Sequence, residues 1–307
     1  MINLYDPTSL KDLVGSYLKK ELIVMKQSVQ HPQLSVVKYK RKVFFDNLWD
    51  DFLVECRGLV IDEDYNVVVN PMTKIFNYGE NGWYPNISND ELIFAYRKFN
   101  GFLGCVTNHD KYGLLFSTTG SLDSDYADML KTAFNETNSA FFDYIKHTPS
   151  NITYYFEVCH PNDPHIIKED FGCHFLGSRY GDSYQANKEL LQVTTLNDIF
   201  KSKENIEGWV CETMGGERFK IKTPYYLTTK FFARANQTKL NHLLKQKEFT
   251  LGAFIENFDE DFCEIFDIIQ EHKDDFVVAD EQSRIEIIRN GLEERNEKVF
   301  DIILSNT

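Results

Sequence analysis

Hydrophobic positions change their spacing twice along the chain. Over residues 7–27, leucine, valine and methionine recur every three or four residues, which predicts an amphipathic helix. Over residues 34–222, short alternating or apolar segments are separated by turn residues, which predicts mostly antiparallel strands with one internal helix over residues 124–144. After residue 222, apolar side chains, many of them phenylalanine, return to helical spacing.

These patterns predict an α+β fold with two domains. We expect a mostly antiparallel sheet domain over residues 1–235 and a small, all-helical C-terminal domain over residues 236–307. The formal net charge of the whole chain is −14, and residues 236–307 carry −9 of it. Such acidity argues against non-specific coating of nucleic acid, which needs a broad basic surface, although it leaves room for a local basic groove.

Cysteine usage and hydropathy predict the compartment. The six cysteines show neither a CxxC pair nor zinc-ligand spacing, which is typical of free thiols in a reducing cytoplasm. The N-terminal residues lack the basic and apolar regions of a signal peptide, and no apolar run approaches the roughly 20 residues of a membrane span. We therefore expect a soluble cytoplasmic protein without membrane partners.

The segment GERFKIKT gives a first indication of chemistry. As a strand it places Arg218, Lys220 and Lys222 on one face, and three neighbouring cations repel each other unless an anion binds there. The glycines before it predict a hairpin that returns to the strand NIEGWVCE, with Glu207 near one end. A solvated edge-strand face is the alternative interpretation.

A second indication comes from AYRKFNGFLG, in which Lys98 lies among aromatic residues and before an Asn-Gly turn. A lysine amine is nucleophilic only when neutral, so its pKa of about 10.4 has to fall, and desolvation or nearby cations lower it. The aromatic neighbours would supply desolvation. Lys220 and Lys222 would supply positive charge and would also hold a phosphate.

Three further segments are weak signals individually. VECRGLVID contains Arg57 before an apolar strand, NPMTKIFN contains Lys74, and TYYFEVCHP places Glu157 in an aromatic strand. Each also fits a surface role, as an ion-paired arginine, an exposed lysine or an outward-facing glutamate. Glu157 and Glu207 together suit a divalent metal or ribose hydroxyls. With Lys98, the set favours nucleotidyl transfer to a lysine.

The ordered motifs resemble the RNA ligase 1 family of T-even-type phages, a branch of the lysine-adenylylating nucleotidyltransferases. The segments that follow the family's order are VECRGLVID, NPMTKIFNYGEN, KFNG, TTGSLDSDYADML, YFEVCHPNDPHII, FLGSR, NIEGWV and FKIKTPYYL. The resemblance extends over residues 38–230. A lone KxxG is uninformative, whereas NIEGWV and FKIK in this order are specific.

The resemblance implies an ATP-dependent RNA ligase with a nucleotidyltransferase domain of the ligase type. In this family the lysine attacks the α-phosphorus of ATP, AMP passes to an RNA 5′-phosphate, and a 3′-hydroxyl then displaces AMP. The family further implies Mg²⁺, with Mn²⁺ as a substitute, RNA with 5′-phosphate and 3′-hydroxyl ends as the partner, and a monomer. It also implies a role in RNA repair that extends to tRNA, in the host-cell cytoplasm if the protein is viral.

The same resemblance implies roles for individual residues. The implied catalytic residues are Lys98, Lys220 and Lys222. The implied ATP-binding residues are Arg57, Lys74, Lys98, Gly101, Glu157, Glu207, Lys220 and Lys222. The implied metal ligands are Glu207, Glu260 and Asp261, and for the last two an acidic helix face is the alternative interpretation. Among these, Lys74 would hold the outgoing pyrophosphate and Glu157 the ribose.

Three positions depart from the family's pattern. Asn100 stands where the family has Asp, Phe102 where it has Ser, and Thr119 where it has Lys. These departures concern rate and substrate choice rather than the class of reaction.

Two alternative functions stay open. DNA ligases and capping-type nucleotidyltransferases normally continue into an OB domain built of short strands, whereas this tail is predicted to be helical. A non-catalytic nucleotide- or RNA-binding relative would have no reason to keep the charged residues of all these motifs.

Overall fold

The computed structural model of the protein describes residues 3–245, 249–258 and 260–304. In chain order the strands are β1 (Ile23–Gln27), β2 (Leu34–Tyr39), β3 (Arg57–Asp62), β4 (Val67–Val69), β5 (Phe76–Asn77), β6 (Leu92–Lys98), β7 (Phe102–His109), β8 (Gly113–Thr118), β9 (Thr153–Cys159), β10 (Gly172–Tyr180), β11 (Ser183–Ala186), β12 (Leu191–Thr195), β13 (Gly208–Thr213) and β14 (Arg218–Lys222). The α-helices are α1 (Pro7–Lys19), α2 (Arg41–Phe45), α3 (Asp125–Thr137), α4 (Ser139–Lys146), α5 (Leu196–Lys201), α6 (Pro224–Arg234), α7 (Gln237–Leu244), α8 (Leu251–Asn257), α9 (Cys263–Glu271), α10 (Lys273–Val278) and α11 (Glu281–Leu304). Short 3₁₀ turns cover Glu80–Gly82, Lys188–Leu190 and Glu260–Phe262. Antiparallel sheets and C-terminal helices confirm the predicted α+β class.

The first helix is shorter than its apolar spacing predicts. Asp6 caps α1 by accepting the N–H of Thr8, and the helix ends at Lys19. Glu21 then adopts a left-handed conformation, with φ of 58°, and the chain reverses into β1. The predicted helix over residues 7–27 is therefore wrong in its last third, where the chain forms β1 and pairs with β2 instead.

The predicted internal helix is two helices. Ser124 caps α3 through the N–H of Ala127. At the other end the hydroxyl of Thr137 donates to the carbonyl of Ala133 at 2.8 Å, and Asn138 leaves the helical conformation before α4 starts. Side-chain to backbone bonds of this kind compete with the helix ladder and explain the break.

Residues up to Ile75 form one compact unit together with Phe99–Leu190. This first unit holds two sheets, with strand orders β1-β2-β3-β4 and β11-β10-β9-β7-β8. Buried side chains of both sheets share a core that includes Leu34, Val60 and Tyr155. Helix α1 packs on the opposite face of the first sheet, and α3 on the opposite face of the second.

Phe76–Lys98 form the second unit together with the residues from Leu191 onwards. Its sheet has the order β12-β6-β13-β14-β5, in which the last pair is parallel. One face of this sheet is apolar, and there Ala95, Trp209 and Phe219 pack with side chains of α5. The other face therefore remains available for polar side chains.

Aromatic packing joins α6 to the helices that follow it. The ring centre of Phe231 lies 6.0, 5.9 and 5.3 Å from those of Phe254, Phe258 and Phe262. These contacts lie within the second unit and join side chains from both sides of residue 235. The predicted domain boundary at that residue stays a prediction.

Within the ranges given above, no helix combines the length and the apolarity needed to cross a membrane.

Candidate active site

Three strand ends meet in one row of the sheet of the second unit. Strand β6 ends at Lys98, β13 begins at Gly208 and β14 ends at Lys222, and the register pairs Gly208 with both lysines. Directly paired residues of antiparallel strands project to the same face, so Lys98 and Lys222 flank a position that has no side chain. Lys220 lies two residues before Lys222 and shares its face. The predicted hairpin and the predicted cationic face are both confirmed.

Gly208 is required by the close approach of two strands. A β-carbon at this position would lie 2.0 Å from the carbonyl oxygen of Ile221 and 2.9 Å from Cα of Lys222. Contacts this short are overlaps with backbone atoms, so only glycine lets β13 pair with β14 at this point. Gly208 itself is buried, so the glycine serves the pairing of the two strands that carry Glu207 and Lys222.

Lys98 has a carboxylate partner. Its Nζ lies 3.0 Å from Oε1 of Glu207, and the Glu207 side chain is 5 % exposed against 20 % for Lys98. The sequence predicts desolvation and neighbouring cations around this lysine, and the structure adds an anion that stabilises the ammonium form. Nucleophilic attack by Lys98 therefore requires that a proton leave its amine first.

Asp261, an expected metal ligand, contacts cations. Its carboxylate pairs with Lys222 and, at 2.6 Å, with Lys230. Burial favours the protonated acid, but the two ammonium groups outweigh this and hold the pKa of Asp261 well below its usual range. The carboxylate is therefore ionised and already satisfied by nitrogen donors.

The predicted metal site is not preformed in the part of the chain that is described. There, no group of three or more His, Cys, Asp or Glu side chains is placed to hold a metal ion. Glu207 pairs with Lys98, Asp261 pairs with lysines, and the side chain of Glu260 lies outside the described residues. Metal binding by these three acids stays a prediction.

Helix α6 adds two residues that sequence reasoning missed, Tyr226 and Lys230. The helix starts directly after β14, where Thr223 accepts the N–H of Tyr226 at 3.0 Å and donates its hydroxyl to the carbonyl of Ile206 at 2.7 Å. Burial, and after it the charge of Glu207, raise the pKa of Tyr226 to about 12. Lys230 follows one helical turn later on the same face, and this spacing of four residues is a signal that the sequence does contain.

In the first unit, Arg179 joins two of the motif segments. Its Nη1 lies 2.7 Å from Oε2 of Glu55 and donates to Oγ1 of Thr73 at 3.1 Å. The Thr73 hydroxyl in turn donates to Glu55 at 2.8 Å. This network fixes the chain immediately before Lys74 and two residues before Arg57. Glu55 was also missed by sequence reasoning, because no local spacing connects it to Arg179.

Two expected ATP-binding residues lie near this network. Arg57 begins β3, where the register pairs it with Lys38 of β2. The ammonium of Lys74 lies 4.8 Å from the ring centre of Trp49, within the range of a cation–π interaction. These contacts place both side chains without showing what they bind, so their roles toward ATP stay predictions.

The Asn100-Gly101 turn is fixed from two sides within the first unit. The N–H of Gly101 donates to Oε1 of Glu157 at 3.1 Å, and a β-carbon on Gly101 would lie 2.3 Å from the carbonyl oxygen of Val158. Asn100 is buried, and its Oδ1 accepts the N–H of Ile167 at 2.9 Å. Asparagine thus keeps the acceptor that an aspartate would provide, without burying a charge. Glu157, expected at the ribose, holds the turn.

The aromatic residues that follow Lys98 in the sequence have partners in the first unit. Phe99 stacks on His174 with ring centres 4.3 Å apart. Phe102 packs edge-to-face on Tyr126 with ring centres 4.9 Å apart. The contact with Tyr126 gives the departure from serine at position 102 a packing role.

A comparison with known families gives a match to one of them. The model of the RNA ligase family matches residues 55–181. This range starts at Glu55, one residue into VECRG, includes the motif segments through FLGSR, and ends before Glu207 and the FKIK strand. The matched range thus includes Arg57, Lys98 and Glu157.

Similar solved structures show the same fold. A putative ATP-dependent DNA ligase from Aquifex aeolicus shares 14 % identity with a TM-score of 0.52, over 92 % of this chain and 77 % of that one. An archaeal ATP-dependent RNA ligase gives TM-scores of 0.51 for its form 2 and 0.50 for its form 1, with 11 % and 13 % identity. Those two comparisons cover 93 % and 92 % of this chain and 76 % and 77 % of the archaeal chains.

Identities this low show the fold and nothing finer. The mixed α+β architecture with antiparallel sheets is thus shared with ATP-dependent ligases. The match over residues 55–181 supports a function of the ligase type. Together, family match and fold confirm the resemblance of this chain to the RNA ligase family.

Proposed function

We propose that the protein is an ATP-dependent RNA ligase that joins RNA 5′-phosphate and 3′-hydroxyl ends through a lysyl-AMP intermediate and an AMP-capped RNA end. One observation carries the proposal: the register places Lys98 and Lys222 on either side of Gly208, on one face of one sheet. A nucleophile and a phosphate-binding cation then lie on the same face two strands apart, an arrangement that suits nucleotidyl transfer to a lysine.

In the first step Lys98 attacks the α-phosphorus of ATP. A bond forms between Nζ and phosphorus, the bond from phosphorus to the bridging oxygen breaks, and pyrophosphate leaves. The amine has to lose a proton, and Oε1 of Glu207, 3.0 Å from Nζ, is placed to accept it. Lys220 and Lys222 offset the negative charge that grows on the phosphate oxygens.

The two later steps use the same face. An oxygen of the RNA 5′-phosphate attacks the lysyl-AMP phosphorus, which breaks the phosphorus–nitrogen bond and returns a proton to the lysine. The RNA 3′-hydroxyl then attacks the activated 5′-phosphorus, a phosphodiester forms, and AMP leaves. RNA repair, with broken tRNA among the substrates, is the proposed setting, and a monomer is the proposed state.

The other ATP contacts in the proposal follow from the motif resemblance. Arg57 and Gly101 would contact the nucleotide, Lys74 the pyrophosphate, and Glu157 the ribose. Mg²⁺ would be held through Glu207 and acids near it and would offset charge on the triphosphate. Since the described residues form no ready metal cluster, we assign no individual step to the metal.

A labelling experiment tests the central step. Protein incubated with Mg²⁺ and ATP labelled at the α-phosphate should carry label that survives SDS. Lys98→Ala should carry none, and neither should Lys98→Arg, which keeps a cation beside Glu207. Lys111→Ala, at an exposed lysine, is the matched control and should be labelled like the wild type. An unlabelled wild type, or a labelled Lys98→Ala, would contradict the mechanism.

A DNA ligase is the second candidate, favoured by the fold shared with a protein described as a putative ATP-dependent DNA ligase. The two candidates differ in the polymer that they join. Incubation with 5′-phosphorylated single strands of RNA and of DNA, under equal conditions, separates them. Faster joining of RNA is expected, and a clear preference for DNA would overturn the RNA assignment.

A further inference from the structure

Two cations lie side by side on one face of the first sheet, where β2 approaches its end and β3 begins. The register pairs Lys38 directly with Arg57, and paired residues of antiparallel strands project to the same side. Along β2 this face also carries Leu34 and Val36, which lie in the core that both sheets of the first unit share. The two cations therefore continue the core-facing side of the sheet at the margin of that core.

The loop that follows β8 in the second sheet of the same unit approaches this pair. A β-carbon on Gly58 of β3 would lie 2.8 Å from the carbonyl oxygen of Thr118 and 2.8 Å from Cα of Thr119. The Nζ of Lys38 lies 4.0 Å from the position that a β-carbon on Gly120 would take. The loop is thus packed against the strands that carry both cations.

Within the described residues, the side chains of Lys38 and Arg57 form no ion pair with a carboxylate and no hydrogen bond. Glu55, the acid nearest to Arg57 along the chain, pairs with Arg179 at 2.7 Å. Asp123, the acid nearest to the loop along the chain, accepts hydrogen bonds from the turn between β1 and β2. Because like charges paired across two strands repel each other, an anion bound here would stabilise the arrangement.

Hydrogen-bond donors lie beside the two cations. In the described ranges, the N–H and the hydroxyl of Thr119 make no hydrogen bond, and neither does the hydroxyl of Ser117, a residue that is 1 % exposed. Ser117 pairs with Cys105 of β7, and the Arg57 guanidinium opposes the rise that burial causes in the pKa of this thiol. The charge of Arg57 therefore acts on the face on which the Ser117 hydroxyl lies. Buried polar groups normally have partners, which a bound oxyanion and its water would provide here.

We propose that Lys38, Arg57 and the loop after β8 form an anion site for a phosphate group, with Lys38 as a binding residue beyond those that the motifs imply. The two cations supply charge-assisted hydrogen bonds to phosphate oxygens, and Thr119 supplies neutral ones. All of these residues belong to the first unit. The inference rests on the proposed function only in naming ATP or an RNA 5′-phosphate as the source of the phosphate group.

Binding of sodium pyrophosphate, measured by calorimetry, tests the site. Lys38→Met keeps a long side chain without its charge and should raise the dissociation constant about five- to tenfold, the size expected for one charge-assisted hydrogen bond. Lys38→Arg keeps a cation and should bind nearly as well as the wild type. Lys131→Met, at an exposed lysine of α3, is the matched control and should bind like the wild type. A purely structural Lys38 would lower the melting temperature of Lys38→Met and leave its dissociation constant unchanged, which overturns the proposal.

Paired probes identify the source of the phosphate. If ATP occupies the site, Lys38→Met loses affinity for ATP but not for adenosine. If the RNA end occupies it, the variant loses the preference for a 5′-phosphorylated RNA strand over the same strand with a 5′-hydroxyl. Either loss supports the site, and a loss in neither pair overturns it. Because the readout is binding, it holds even if no lysyl-AMP forms, whereas normal labelling of Lys98 with unchanged affinities in Lys38→Met would reject this inference alone.

Discussion

Loss of the Arg179 guanidinium should destabilise the first unit strongly. Arg179→Met removes the cation that lies 2.7 Å from Glu55, along with the donors to Thr73 at 3.1 Å and to the carbonyl of Gly181 at 2.9 Å. Arg179 and Glu55 are 7 % and 13 % exposed. The substitution therefore leaves a shielded carboxylate without its counter-ion.

The magnitude follows from burial. Removing one partner of a buried ion pair costs about 3–5 kcal/mol, mostly because the remaining charge is uncompensated. Exposed pairs contribute about 0–1 kcal/mol. Arg295, whose partners Asp267 and Glu271 are 51 % and 61 % exposed, supplies the matched control Arg295→Met. We expect a loss of about 3–5 kcal/mol for Arg179→Met and of about 1 kcal/mol or less for the control.

Urea denaturation followed by circular dichroism measures both losses. The double variant Arg179→Met with Glu55→Met should lose less than the sum of the two single variants, because it leaves no buried charge behind. A loss below about 1 kcal/mol for Arg179→Met, or strictly additive losses in the cycle, would refute the assignment of this pair as a buried, energetically coupled unit.

Three further predictions concern the turn, the hairpin and acid stability. Gly208→Ala places a β-carbon 2.0 Å from the carbonyl oxygen of Ile221. We expect the free energy of unfolding to fall by at least about 1–3 kcal/mol and no lysyl-AMP to form. Labelling and a melting temperature at wild-type levels would contradict this. Asn100→Ala leaves the N–H of Ile167 without its acceptor and should cost about 1–3 kcal/mol in urea melts; a loss near zero would count against the bond. The lowered pKa of Asp261 means that its ion pairs stabilise the fold above the unfolded pKa of about 3.9, and that this stability declines as the pH falls below it. Stability of the wild type should therefore fall more steeply than that of Asp261→Asn below about pH 4, and parallel pH profiles would refute this.

The sequence by itself determined the features that repeat locally. Alternation in RFKIK put Lys220 and Lys222 on one face, because successive strand residues point to opposite sides of a sheet. The glycines before that strand predicted the hairpin, and helical spacing predicted the helices after residue 222. Local periodicity was ambiguous over residues 7–27, where the apolar spacing after Lys19 fits a strand as well as a helix.

Only the tertiary structure decided which charges meet. Arg179 and Glu55 lie 124 positions apart, and the pairs of Lys98 with Glu207 and of Lys230 with Asp261 also join distant segments. Such pairs depend on strand order and register, which no local pattern records. The order of the motifs along the chain indicated which lysines and glutamates are candidates for nucleotidyl transfer. The fold determined that Lys98 pairs with a carboxylate and that Asp261 pairs with two lysines. Ion pairing needs atoms within a few ångströms of each other, whereas the sequence fixes only the order of the residues along the chain.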